Sequence, residues 1–287
     1  MARPYDSIPE RRDIVRRRSL AEQLEQLVED RPPGDIPRAE VLALFRQALA
    51  GGRTEIRRRF EAPGPLRNDG PSVLAATSFL MDQLIRALFD FTESYAYPAA
   101  NPSTAERLSV VATGGYGRGE LAPMSDIDLL FLRPYKQTPR GEQIVEFMLY
   151  LLWDLGLKVG HATRTVEESL RYAERDHTIR TALLEARYVW GDKELYEELD
   201  KGFAQKFLTG EGRDFVEAKL AERDQRHQRM GDSRYVVEPN VKEGKGGLRD
   251  LHLLFWIARY LYRVSQDRKS TRLNSSHVSE SRMPSSA

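Results

Sequence analysis

The sequence predicts an α+β fold: a small sheet set among helices, with helical segments before it and a helical domain after it. Three observations point there. Apolar residues recur at three- and four-residue steps through most of the first 100 residues and again from Val166 to Met230. Between these stretches lie short runs at Leu108–Ala112, Asp126–Leu132 and Leu157–Thr165, which read as strands. Glycine-rich turns break the pattern where strand and helix signals meet. The expected division is an N-terminal helical region at 1–100, a mixed core at 101–175, a helical domain at 176–266 and a separate tail at 267–287.

Taken in order, Met1–Arg18 is polar and carries Arg11, Arg12, Arg16, Arg17 and Arg18, a pattern expected of a solvated leader. Ser19 stands where it would cap a helix running to about Asp30, which Pro32 and Pro33 stop. Pro37 suits a first helical turn, and Val41, Phe45, Leu49, Gly52, Ile56 and Phe60 mark a long helix with Gly51-Gly52 as a point for a kink. After Pro71, Met81, Leu84, Leu88, Phe91 and Tyr95 share one face until Pro98. Thr138 and Pro139 open a further helix whose Ile144, Met148, Leu151 and Leu155 face inward, and Gly156 closes it. From Val166 to Met230 the pattern is helical throughout, with Thr181–Trp190 apolar enough to be buried. A last helix is expected to bury Leu251, Leu254, Phe255, Ala258 and Tyr262 along one face.

Composition narrows the function classes. The chain's 44 basic and 43 acidic residues nearly cancel, so charge makes no case for a nucleic-acid partner. Cysteine is absent, which excludes disulfides and thiolate metal sites and fits a cytoplasmic protein. No apolar run is expected to reach the roughly 20 residues of a membrane span, and the N-terminus lacks a signal-peptide apolar region, so no membrane partner is expected.

The informative stretch is Gly114-Gly115-Tyr116-Gly117-Arg118-Gly119-Glu120-Leu121, followed by Ser125-Asp126-Ile127-Asp128-Leu129-Leu130. Side chains alternate along a strand, so Asp126 and Asp128 point one way and Ile127 the other, into the packing. Two carboxylates on one face repel unless a cation neutralises them, and hard oxygen donors suit Mg²⁺. Gly114 and Gly115 lack Cβ and let backbone amides approach an anion, while Ser125 adds a hydroxyl beside the first acid. The combination suits a metal-bound triphosphate. Further on, the glycine-rich loop Glu238–Gly247 carries Lys242 and Lys245 and runs into a helix, an arrangement that would attract phosphate.

The glycine pair followed by Ser-Asp-x-Asp resembles the polymerase β-like nucleotidyltransferase superfamily. The longer strings at 114–132, Leu152–Thr165, Thr181–Arg187 and Glu238–His252 resemble, more narrowly, the PII-protein uridylyltransferase family over roughly 20–266. That resemblance implies a polymerase β-like nucleotidyltransferase core, a small mixed sheet flanked by helices, at 101–175. It implies transfer of UMP from UTP to a tyrosine of the PII signalling protein, with pyrophosphate leaving. Asp126 and Asp128 would be the catalytic pair and the Mg²⁺ ligands. Gly114, Gly115, Arg118, Ser125, Lys242 and Lys245 would contact the nucleotide.

The superfamily places a third carboxylate on a neighbouring strand, and here that strand offers Lys158, His161 and Arg164 instead. The general base is therefore unassigned, with Asp154, Glu167 and His161 nearby in sequence. A nucleotidyltransferase with another acceptor, and a non-catalytic fragment that binds nucleotide or PII protein, stand as alternatives. Family members continue with uridylyl-removing and sensing domains that this sequence lacks. Residues 267–287 lose all periodicity and match a translated sequencing adapter, so they are expected to be a non-native, disordered tail on a truncated chain.

Overall fold

Four strands, β1 (Ser109–Ala112), β2 (Ile127–Arg133), β3 (Val159–Thr165) and β4 (Arg187–Gly191), form one sheet in the order β3-β2-β1-β4 in a computed structural model of the chain. The residues described are 5, 8–32, 34–63, 69–99, 103–210, 212–231 and 240–262. The expected tail at 267–287 lies outside them, as do Glu238 and Pro239. Contacts divide the chain into two compact units, Met1–Phe203 and Ala204–Ala287, and the sheet belongs to the first together with the N-terminal helices.

The sheet is mixed, as expected. Strand β1 runs antiparallel to both neighbours, and β2 runs parallel to β3 with Asp128 opposite Gly160. All four residues of β1 are buried, as befits a central strand. Ile127, Leu129 and Phe131 enter the main core with Val110 and Ala112, while Val111, Leu130 and Leu132 alternate to the other face and are equally buried. Both faces of the sheet are thus covered, which leaves function to its ends.

Strand β4 corrects the reading of 166–230 as helical throughout. It interrupts α6 (Val166–Arg175) and α7 (His177–Leu184) before α8 (Lys193–Phe207), and its five residues bury only Val189 fully. So short a run has no period of its own to read. Its pairing with β1 makes it a strand.

Helix α1 (Arg17–Val28) begins earlier than expected, with no side-chain cap at Arg16 and Ser19 already inside it. Helix α2 (Arg38–Glu61) continues through Gly51-Gly52. A Cβ on Gly52 would lie 2.5 Å from a methyl carbon of Leu80, so the glycine allows close approach to α3 (Gly70–Phe91). Asp69 caps α3 by accepting from the Ser72 amide at 2.9 Å. Contrary to expectation, the stretch Gly70–Ala96 is long and apolar enough to match a membrane span in composition. Its most apolar window is 72% buried inside the protein, however, so tertiary packing accounts for its apolar character. Helix α5 (Pro139–Asp154) starts as read, with the Thr138 hydroxyl accepting from the Gly141 amide at 3.2 Å.

In the second unit, α9 (Arg213–Arg229) and α10 (Leu248–Tyr262) meet through Phe215 and Tyr260, whose rings stack at 4.0 Å. The inward face of α10 is Leu253, Trp256 and Tyr260. Leu251, Leu254 and Tyr262, expected inside, are 60%, 63% and 76% exposed. The helix is apolar around its whole circumference, so periodicity alone could not choose a side.

Candidate active site

The glycine turn forms α4 (Gly114–Gly117), a single helical turn directly after β1. Its residues are held from three directions. The Thr113 amide donates to the Asp128 carbonyl at 3.0 Å, tying the turn to β2. The Leu121 amide donates to the buried Ser78 hydroxyl of α3 at 2.9 Å. Arg187 of β4 donates to the carbonyls of Tyr116 and Gly117 at 3.1 and 3.2 Å.

Behind that clamp is a buried polar network. Arg187 grips the fully buried Asp82 of α3 through two nitrogens, at 2.8 and 3.0 Å. Tyr116 donates its hydroxyl to the same carboxylate at 2.7 Å. Burial first, and then the negative Asp82, push the Tyr116 phenol well above its ordinary range, so it stays a donor. The network leaves no lone charge and makes the turn a rigid part of the core.

Asp126 and Asp128 flank the buried Ile127, and both stay exposed at the start of β2. Burying Ile127 is worth about 2 kcal/mol, and it fixes the register that turns Asp128 outward. Asp128 is walled by glycine backbone. A Cβ on Gly114, whose φ is +60°, would lie 3.0 Å from Asp128 Oδ2, and one on Gly160 would lie 2.6 Å from Oδ1. Partial burial raises the proton affinity of the Asp128 carboxyl, and the negative charges of Asp126 and Glu185 raise it further.

Glu185 is thus a third acidic group at the site, reached through α7 and β4 instead of β3. The β3 position facing Asp128 is Gly160, where any side chain would strike the carboxylate. The Glu185 side chain is 3% exposed and pairs with Arg118, which is 9% exposed and also bonds Glu120 at 2.9 Å. His161 pairs in register with Leu129, so it projects to the face opposite Asp128, with its ring 6.0 Å from that of Trp153. Asp154 is engaged by Arg38 at 2.8 Å. Ser125 lies exposed in the turn before Asp126, its amide bonded to the Ala122 carbonyl at 3.1 Å.

A family model described as a nucleotidyltransferase domain matches residues 101–189, which contain the glycine turn, Asp126, Asp128, Gly160, Glu185 and Arg187. A second, described as GlnD PII-uridylyltransferase, matches 214–281. A bifunctional uridylyltransferase/uridylyl-removing enzyme of Rhodospirillum rubrum is 57% identical over 262 residues, 91% of this chain and 28% of the relative. Proteins of the same description from Azospirillum brasilense and Erythrobacter litoralis are 56% and 52% identical, each over 90% of this chain and 27% of the relative.

Nine tenths of the chain thus matches proteins described as bifunctional uridylyltransferase/uridylyl-removing enzymes, and its residues 214–281 match the PII-uridylyltransferase family model. The chain spans a little over a quarter of the length of the curated relatives it matches. Within the family frame, the Thr181–Arg187 string becomes intelligible: Glu185 and Arg187 both serve the glycine turn. Sequence reasoning saw that string only as a likeness, because nothing local couples it to residues some 70 positions earlier.

The second-unit loop is more self-contained than a phosphate cradle needs to be. Asn240 Oδ1 accepts from the Lys242 and Glu243 amides at 3.0 and 2.9 Å, and its carbonyl accepts from Gly244 at 2.9 Å. Gly246 donates to Asp250 at 2.7 Å and Gly247 to the Gly244 carbonyl at 2.9 Å. Asp250 also meets His227 Nε2 at 3.1 Å and bonds Arg226, which fastens the loop to α9. Several of the loop's backbone amides are thus engaged within the loop or by Asp250.

Proposed function

We propose that this chain is a Mg²⁺-dependent nucleotidyltransferase that transfers UMP from UTP to a tyrosine hydroxyl of a PII signalling protein in the cytoplasm. The observation that carries the reading is the exposed Asp128 set against the Gly114 turn, with the charge of the exposed Asp126 acting on it. The tyrosine oxygen forms its bond to the α-phosphorus as the bond to pyrophosphate breaks, and the phenolic proton is lost.

Asp126 and Asp128 fit a divalent cation. Both are hard oxygen donors, and their mutual repulsion is what a cation would relieve. Among the described residues no group of three or more ligand-type side chains assembles, so the protein's share would be these two acids. When bound, Mg²⁺ supplies charge neutralisation for the triphosphate. The chain's own residues do the rest. Gly114 and Gly115 let phosphate oxygens approach the backbone, Ser125 adds a hydroxyl, and Arg118 adds positive charge beside the turn. Lys242 and Lys245 are proposed to contact phosphate through their ammonium groups. The names of the relatives support uridylyl as the group transferred.

The test is incubation of the protein with UTP, Mg²⁺ and a purified PII protein, followed by intact mass measurement. Addition of one uridylyl group to the PII protein, absent when Asp128 is replaced by Asn, is the expected result. No mass change under conditions where the protein is folded and binds UTP would overturn the assignment.

A further inference from the structure

Glu185 has no role in the reaction as written, yet its carboxylate is almost wholly enclosed beside the site, with 3% of the side chain exposed. We propose that Glu185 is a positioning residue, which holds the Arg118 guanidinium beside the Gly114–Gly115 turn in the orientation that receives the phosphates of the nucleotide. The inference rests on the proposed function and names one more part of that site.

The geometry is specific. Arg118 Nε donates to Glu120 at 2.9 Å and Nη1 to Glu185, while Nη2 lies 3.5 Å from where a Cβ on Gly115 would sit. The guanidinium thus faces the glycine pair with one edge and is gripped on the others. The two grips are unequal. Glu120 is 53% exposed, so its pair is screened by water and worth little. Glu185 and Arg118 are 3% and 9% exposed, so theirs sits in a low-dielectric setting where orientation is firmly held.

The backbone agrees. A Cβ on Gly117 would lie 2.2 Å from the Glu185 carbonyl oxygen, so the turn and the Glu185 backbone are in tight register. Glu185 therefore moves with the turn, and the guanidinium is aimed before any nucleotide arrives. Preorganised charge of this kind favours binding of the phosphates without a cost of reorientation.

The experiment titrates the whole chain with a UTP analogue whose α–β bridging oxygen is replaced by methylene, in the presence of Mg²⁺, and follows heat of binding alongside thermal unfolding. Glu185→Gln is expected to weaken the analogue by about tenfold, as for loss of a hydrogen bond to a charged group. Glu120→Gln is expected to change it by no more than about threefold. In an Arg118→Gln background, adding Glu185→Gln is expected to change nothing further, because Glu185 acts through Arg118.

Wild-type affinity in a folded Glu185→Gln protein would overturn the inference and leave the proposed function standing. Failure of the wild-type chain to bind the analogue would overturn both. If Glu185→Gln alone does not fold, the Arg118→Gln/Glu185→Gln pair, which leaves only the half-exposed Glu120 without this partner and no buried charge, decides instead. Affinity equal to that of Arg118→Gln supports positioning through Arg118, and a further loss overturns it.

Discussion

Gly160 stands directly across from Asp128 in the parallel pairing of β2 and β3, and a Cβ on it would come within 2.6 Å of an Asp128 carboxylate oxygen. The carboxylate occupies the space a side chain would otherwise fill. A glycine on an edge strand is thus a condition for the orientation of an acid on the next one.

Replacing Gly160 by Ala should therefore cost activity without unfolding the protein. The new methyl displaces the carboxylate by about an ångström, a misplacement that lowers turnover by about a hundredfold. Alanine is accepted in a strand at least as well as glycine, so stability should stay within about 1 kcal/mol of wild type. Steady-state kinetics beside urea unfolding checks both halves. Equal turnover would mean that Asp128 tolerates the displacement.

Asp126→Ala and Asp128→Asn should each reduce uridylyl transfer by at least about a hundredfold, with the melting temperature unchanged or higher. The sign of the stability effect follows from the proton affinity. Asp128 is raised above an ordinary carboxyl by burial, Asp126 and Glu185, so its charged form opposes folding above that raised value. Removing the charge relieves that opposition at neutral pH. Differential scanning calorimetry without metal reads it, and a large fall in melting temperature would contradict it.

Arg187→Met should be among the more destabilising single changes in the first unit. It takes from the fully buried Asp82 its two shortest charged contacts, at 2.8 and 3.0 Å, and leaves Arg86 at 3.4 Å and the Tyr116 hydroxyl against it; breaking a buried pair costs about 3–5 kcal/mol. It also removes the clamp on the Tyr116 and Gly117 carbonyls. The double change Asp82→Asn/Arg187→Met should recover part of the lost stability. Denaturant midpoints for Arg187→Met, Asp82→Asn and the double variant test the coupling, and strictly additive losses would show that the two residues act separately.

Acid should loosen the packing of α2 against the chain's first residues. The Arg58 hydrogen bond, opposed by burial and helped by Arg59, lowers the Glu55 carboxyl to about 2. Arg59 in turn bonds the carbonyls of Pro9 and Glu10 at 2.6 and 3.0 Å. A depressed carboxyl stabilises the fold above the unfolded value of roughly 4.3, and this contribution disappears as pH falls toward the folded value. The stability gap between wild type and Glu55→Gln should be constant above pH 5 or so and close on acidification. A gap that persists at the lowest accessible pH would refute the linkage.

Local periodicity and turn chemistry were enough to read β1, β2, β3, the start of α5 at Thr138 and the exposure of Asp128 beside the buried Ile127. Each of these depends on residues a few positions apart, and alternation along one strand places its side chains whatever the rest of the chain does. Tertiary structure alone decided the others. It made a strand of Arg187–Gly191 by pairing it with β1, chose the buried side of α10, turned His161 away from Asp128, and brought Glu185 and Arg187 to the glycine turn. The physical reason is the same in every case. Burial and ion pairing act between surfaces that meet only after the chain has closed loops of tens of residues, and no periodicity within a segment records which surface it will meet.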